Sequence, residues 1–158
     1  AFTAEEAWQS RVKNIENSVH LRSYDSIPDG WLDPALGERW AGIRQVRQVV
    51  TTALEAARND GAIGASLQAA PVVHVDAAGA ELFAGEDAAA LFITSDAQIT
   101  TDAAPADAFR VEGIENAAVV FATADGGKCA RCWKIMPEVT SEDGICNRCD
   151  DVVNAAAG

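Results

Sequence analysis

The 158 residues, 16.6 kDa with 49% apolar content, are enough for one globular domain or two small ones around a buried core. Twenty-four acidic residues against 12 basic ones give a net charge of −12 and a pI near 4.4. That balance excludes general phosphate neutralisation, so any contact with nucleic acid needs a local basic surface.

No run of about 18 uncharged apolar residues is present to span a bilayer. The first residues are neither basic nor apolar, so we expect no signal peptide and no membrane partner, and read the chain as excised from a longer cytoplasmic one.

Residues 1–70 read as helical. A short helix includes Glu5 and Trp8, Ser18-Val19-His20-Leu21 looks extended, and Ile27-Pro28-Asp29-Gly30 is a turn signal. The clearest helix covers residues 33–59. Asp33 suits its N-cap, Pro34 its first helical position, and Gly61 the residue beyond its last turn. At about 100° per residue, Leu36, Trp40, Ile43, Val46, Val50, Leu54 and Ala57 share one apolar arc, with Arg44, Arg47 and Arg58 along its edge. Gly37 and Gly42 each weaken that helix by about 1 kcal/mol relative to alanine. Trp31 and Trp40 are read as core, and His20 and His74 as ordinary strand or surface histidines.

Residues 71–123 change character. Pro71-Val72-Val73-His74-Val75 and Ala117-Ala118-Val119-Val120-Phe121 are β-branched runs that read as strands, and Leu91-Phe92-Ile93-Thr94 is a third candidate. Residues 81–90 read as helix and 102–107 as a loop, which together suggest a small α/β unit.

Residues 124–158 are entered through Asp125-Gly126-Gly127 and hold all four cysteines, in two C-x-x-C pairs. A secreted disulfide framework would spread its cysteines along the chain. Each pair, Cys129 with Cys132 and Cys146 with Cys149, offers two sulfurs on one tight turn, and the 13 intervening residues suffice to bring the pairs together. Four thiolates in tetrahedral array are the ligand set of a structural zinc ion, with no open position for water or substrate. Two disulfides, a redox pair or an iron–sulfur cluster are weaker accounts of the same spacing. So little apolar sequence follows Gly126 that folding there should depend on the metal.

Lys128, Arg131, Lys134 and Arg148 surround these knuckles, with Trp133 directly after Cys132. Cations around an aromatic ring suit backbone phosphate and a stacked base. The alternative is that Trp133 packs over the metal and the cations offset thiolate charge. Glu138, Glu142, Asp143, Asp150 and Asp151 confine any basic surface to one side. No constellation for acyl, phosphoryl or hydride transfer is visible, so no catalytic residue is assigned.

Lys128-Cys129-Ala130-Arg131-Cys132-Trp133-Lys134 and Gly144-Ile145-Cys146-Asn147-Arg148-Cys149 resemble the zinc finger that ends bacterial isoleucyl-tRNA synthetases. A related finger ends some DNA glycosylases, but the upstream segments point to the synthetase. Phe2-Thr3-Ala4-Glu5-Glu6-Ala7-Trp8 resembles a helix of its anticodon-binding domain, and Ser18-Val19-His20-Leu21 the connector after it. Leu54-Glu55-Ala56-Ala57-Arg58 and Ile63-Gly64-Ala65-Ser66-Leu67-Gln68-Ala69 resemble the next helix and loop.

The resemblance implies an α+β chain in three parts. Residues 1–70 would end a helical anticodon-binding bundle, 71–123 would form a small α/β junction domain, and 124–158 a zinc finger with four cysteine ligands. It also implies a tail that contacts the anticodon arm of isoleucine tRNA through Trp133, Arg131, Lys134, Arg148 and Lys128, and through Arg44, Arg47 and Arg58. The parent would be a monomeric, ATP-dependent ligase whose catalytic and editing domains lie upstream in the same chain. ATP would bind only there, and the tail would hold one zinc ion. A glycosylase's nucleic-acid-binding tail and a zinc-ribbon protein-interaction module remain as alternatives.

Overall fold

The structure is a computed structural model that describes residues 2–12 and 16–156. It divides into two compact units, Ala1–Pro34 and Ala35–Gly158.

In the first unit, helix α1 (Phe2–Val12) draws on good helix formers, two Ala and two Glu with Gln9 and Arg11, and buries no residue. It is tied to the turn that follows by polar contacts. The Glu5 carboxylate accepts from Ser18 Oγ at 2.8 Å and from the Val19 N–H at 2.9 Å, and Trp8 Nε1 donates to Asn17 O at 2.6 Å. Ser18 to Leu21, expected to be extended, is instead a single 3₁₀ turn over Val19–Leu21. The Ser18 hydroxyl caps it by accepting from the His20 N–H, a local bond that outweighs the strand preference of the valine. A second 3₁₀ turn, Asp29–Trp31, falls where the Pro-Asp-Gly signal places it. Trp31, expected in the core, is 76% exposed. Its neighbours in this unit are short turns, which supply no apolar layer to cover it.

The second unit is built on helix α2 (Pro34–Asn59) and a four-stranded sheet. α2 ends as its sequence predicts. Gly61 adopts φ +77°, its N–H bonds Arg58 O, and the Ala62 N–H reaches back to Ala57 O at 2.9 Å, closing a Schellman motif. Ile43, Val46, Val49, Val50, Ala53, Leu54 and Ala57 are buried along α2.

They share one core with strands β1 (Val72–Val75) and β4 (Ile114–Val120). Val73 lies opposite Val119, and Val75 opposite Ala117, so alternate residues of both strands face that core. Two three-residue strands complete the sheet, β2 (Gln98–Thr100) parallel to β1 and β3 (Phe109–Val111) antiparallel to β4, in the order β2-β1-β4-β3. The parallel pair needs a crossover. Helices α3 (Ala77–Leu82) and α4 (Ala88–Phe92) provide it.

These helices correct two expectations. The helix expected over 81–90 is interrupted after Leu82 and restarts at Ala88, where the Asp87 carboxylate caps it by accepting from the Ala90 N–H. The strand expected over 91–94 does not form: Leu91 and Phe92 end α4, and Ile93 turns the chain with φ 59°. Three apolar residues and a threonine carry no period of their own, and the Asp87 cap decides the segment.

Arg39 fastens α2 to the end of α3 by donating to Leu82 O and Ala84 O, with Glu86 as its ion-pair partner at 3.0 Å. Beyond β4 the chain pairs with residues 68–70. The Ala70 N–H donates to Ala122 O, and the Ala124 N–H to Gln68 O, both at 2.8 Å. This pairing leads directly into Gly126. The last part comprises a two-stranded ribbon, β5 (Gly127–Lys128) with β6 (Ile135–Met136), and helix α5 (Asn147–Ala156). No helix is long and apolar enough to cross a membrane, among the described residues.

Candidate metal centre

The ribbon β5–β6 closes around the first cysteine pair. The Cys129 N–H bonds Lys134 O, and the Trp133 N–H bonds Cys129 O, both at 2.9 Å, which makes a loop tight enough for Cys129 and Cys132 to face the same point. The second pair sits at the start of α5. Cys146 precedes the helix, its carbonyl accepting from the Cys149 and Asp150 N–H groups, and Glu138 adds a carboxylate against the Asn147 N–H.

The turns converge. The four Sγ atoms lie within 4.8 Å of one another, and Cys132 and Cys146 are 3.7 Å apart. Thiolates about 2.3 Å from one tetrahedral ion would stand about 3.8 Å from each other. Cys129, Cys146 and Cys149 are buried, and all four thiols are free of disulfides. Among the described residues, only Val139, Met136 and Ile145 supply apolar packing around them.

The polar surroundings prepare the cluster for charge. Burial alone raises the Cys129 thiol, but hydrogen bonds from the backbone N–H groups of Cys132, Cys146 and Arg131 outweigh it and bring its pKa down to about 6. Burial pushes Cys146 up to about 12 and Cys132 upward. Arg131 Nη1 stands 3.6 Å from Cys149 Sγ and places a positive charge on the cluster's rim. Thiols held high by burial become thiolates only with a cation among them. A soft divalent ion such as zinc fits this donor set, and with four sulfurs its coordination shell is closed.

Close packing fixes the entry to the site. A Cβ on Gly127 would overlap Val139 O, and one on Gly126, whose φ is +113°, would overlap Met136 O. Side chains are thereby excluded from Gly126 and Gly127, the two positions that lead through Lys128 to Cys129.

Of the residues singled out beside the knuckles, Lys128, Arg131, Trp133 and Arg148 are exposed, and Trp133 is the aromatic one among them. It is 61% exposed, its backbone is held at φ 68°, and Lys128 Nζ lies 5.4 Å from its ring. Trp133 therefore does not pack over the cysteines as a lid. Arg148 is exposed on α5, and Lys134 is half-buried. Trp133 and Lys128 also border a cleft of about 280 Å³ with Ile135, completed by Gly64, Leu67 and Gln68. That turn is kept in shape by the Gln68 side chain, which accepts from the Gly64 and Ala65 N–H groups.

The arginines of α2 are engaged differently. Arg47 Nε donates to Leu91 O at 2.9 Å at the end of α4, and Arg58 pairs with Glu55 on its own helix. Arg44 is exposed. His74 Nδ1 lies 3.1 Å from Asp102 O, and Asp76 caps α3. Sequence reasoning misses Ser95, whose buried hydroxyl meets both Leu67 and Ile135. A single serine in a loop carries no spacing signal that could mark it.

Comparison with known proteins gives a consistent result. No family model matches the chain. Proteins named isoleucine–tRNA ligase match nearly all of it: that of Ruegeria pomeroyi is 48% identical over 152 residues, that of Gluconobacter oxydans 44% over 157, and that of Agrobacterium fabrum 46% over 144. These alignments cover 94%, 98% and 89% of this chain. The chain spans only 15% to 16% of the relatives' own length.

Proposed function

We propose that this chain, which belongs to the isoleucine–tRNA ligase family, is a piece of that enzyme's C-terminal region and the tail that grips the anticodon arm of isoleucine tRNA. It carries no step of the chemistry. ATP-dependent activation and editing belong to upstream domains of the parent enzyme, which acts as a cytoplasmic monomer. Residues 1–70, 71–123 and 124–158 serve as the end of the anticodon-binding helices, the junction and the finger.

One zinc ion held by Cys129, Cys132, Cys146 and Cys149 makes the last part rigid. The ion supplies charge balance for four thiolates and a fixed point for two turns; the residues around it face the RNA. The observation that carries the reading is Trp133: a bulky side chain kept in a left-handed backbone conformation, exposed, with the Lys128 ammonium beside its ring. Strain of this kind persists only where surrounding structure enforces it. Here the closed metal loop enforces it. An exposed indole with a neighbouring cation suits an unstacked loop base and the phosphate next to it.

Lys134, Arg148 and Arg131 extend the cationic surface around that ring, with Arg131 divided between the RNA and Cys149. Arg44 is the α2 arginine best placed to reach RNA. Arg47 and Arg58 act there only by exchanging their present partners, Leu91 O and Glu55, for phosphate.

Titration of the zinc-loaded chain with isoleucine tRNA and with an unrelated tRNA tests the proposal, the first being expected to bind more tightly. In the full-length ligase, Trp133→Ala should raise KM for tRNA and leave formation of the activated amino acid unchanged. Equal binding of both tRNAs, or a defect in activation itself, would refute it.

A further inference from the structure

Two residues other than glycine have positive φ among the described residues, Ile93 at 59° and Trp133 at 68°. They are 40 positions apart in sequence, yet each stands two residues from the same hydrogen bond, in which the Ile135 N–H donates to Ser95 Oγ at 2.6 Å. The Ser95 hydroxyl in turn donates to Leu67 O at 2.5 Å, and its own backbone N–H bonds Ala69 O at 3.1 Å. Ser95 is 5% exposed. One buried oxygen thus fastens the metal ribbon to the turn that precedes β1.

Leu67 and Ile135 both border the cleft beside Trp133. The cost of a β-branched residue in the left-handed region at Ile93 is explained by what it achieves. The chain leaves α4 through the Ile93 turn, Thr94 is fully buried, and Ser95 arrives facing inward. Glycine, the usual residue at such a turn, would leave this corner free to adopt other paths.

We propose that Ser95 is a positioning residue for RNA binding: its hydroxyl joins Leu67 to Ile135 and so fixes the orientation of Trp133 and the width of the cleft it borders. The role rests on the tRNA-binding reading above. The hydrogen bonds of Ser95 run to Leu67, Ala69 and the Ile135 backbone, not to a metal ligand or to the side chain of a proposed RNA contact. Removing its oxygen leaves the Ile135 N–H and the Leu67 carbonyl without their partner while leaving the zinc site complete. The ribbon then samples several orientations, and only a fraction of molecules presents Trp133 correctly.

The test uses the full-length ligase with Ser95→Ala, Ser95→Thr and Thr94→Ser. Thr94→Ser is a control for general softening, since it removes a buried methyl one residue away and spares the bridge. In Ser95→Ala, KM for isoleucine tRNA rises about fivefold, as expected for the loss of one net hydrogen bond. Zinc stays at one per chain, and kcat and amino-acid activation are unchanged. In the 158-residue chain the same substitution speeds amide exchange at Ile135. Ser95→Thr, which keeps the hydroxyl, restores most of the KM. An unchanged KM in Ser95→Ala, or an equal rise in Thr94→Ser, overturns the positioning role. If Trp133→Ala also leaves KM unchanged, the RNA reading falls and this role falls with it.

Discussion

Replacing Gly126 by alanine should cost this protein most of its metal affinity without touching a ligand. Two penalties act at that position. Its φ of +113° lies where L-residues are rarely found, which costs about 1–3 kcal/mol. The new methyl would also overlap Met136 O and Met136 C and stand 2.6 Å from Pro137 N, backbone atoms that cannot turn aside as a side chain can. Overpacking of this sort adds about 1–3 kcal/mol. Among the described residues, only Val139, Met136 and Ile145 supply apolar packing around the cysteines, too little to absorb a combined penalty of about 4 kcal/mol. On the expectation that folding of the module and metal binding form one equilibrium, the cost appears as a loss of zinc affinity. About 4 kcal/mol corresponds to about a thousandfold. Competition for zinc against a chromophoric chelator measures it, with Gly37→Ala as control, since a Cβ at Gly37 meets nothing within 4 Å. If Gly126→Ala binds zinc within about tenfold of the unaltered chain, the coupling between the glycine turn and the site is wrong.

Two further outcomes follow from the same cluster. Cys146→Ser should expose the backbone amides after residue 125 to rapid hydrogen exchange while those of α2, β1 and β4 stay protected, because the larger core contains none of the cysteines. Zinc affinity should also rise with pH, since thiols release protons when they bind the ion. If the metal-free module is unfolded, thiols with pKa about 8.5 each release a proton near pH 7, and log K climbs by close to four per pH unit. If it stayed folded, Cys129, at about 6, would already be ionised and the slope would not exceed about three. A metal-competition series from about pH 6.5 to 7.5 separates these, and we expect the steeper slope.

The parts of the fold that can be read from sequence are those with a long period or a fixed chemistry. Twenty-six residues of α2 repeat the apolar pattern many times between a proline and a glycine, so its ends and most of its buried face are legible, although Leu36 is exposed and Val49 and Ala53 join the buried side. The cysteine pairs are legible because metal chemistry leaves few other reasons for that spacing. Short elements are not. Gln98-Ile99-Thr100 and Phe109-Arg110-Val111 are edge strands whose pairing is decided by neighbours far away in sequence. Leu91-Phe92-Ile93-Thr94 has strand-like composition, but Asp87 commits it to a helix end.

The site shows the same division. That Arg131 borders the cluster follows from its place between two ligands, whereas Arg47 reads as an edge cation because only the folded chain brings Leu91 O to it. Trp31 reads as core by residue type alone. Its exposure depends on what the surrounding turns fail to provide.

The acidity of the chain has a measurable consequence for the proposed RNA-binding surface. Net charge −12 repels phosphate at long range, so binding must depend on contacts short enough to escape screening. The cations that the proposal assigns to RNA beside Trp133 are few: Lys128, 5.4 Å from its ring, with Lys134 and Arg148, and Arg131 partly engaged by Cys149 Sγ. Each phosphate neutralised on a single-stranded loop contributes about −0.7 to the slope of log K against log salt. Three or four contacts therefore give a slope of about −2 to −3, far shallower than that of a basic binder with about ten. Stacking on Trp133 carries little salt dependence, so Trp133→Ala should weaken binding while leaving the slope nearly unchanged, and Lys128→Ala should reduce the slope by somewhat under one. Fluorescence titrations at several salt concentrations distinguish the two variants. A slope steeper than about −6 for the unaltered chain would mean that phosphates dominate, and an indole-centred surface would then be the wrong account.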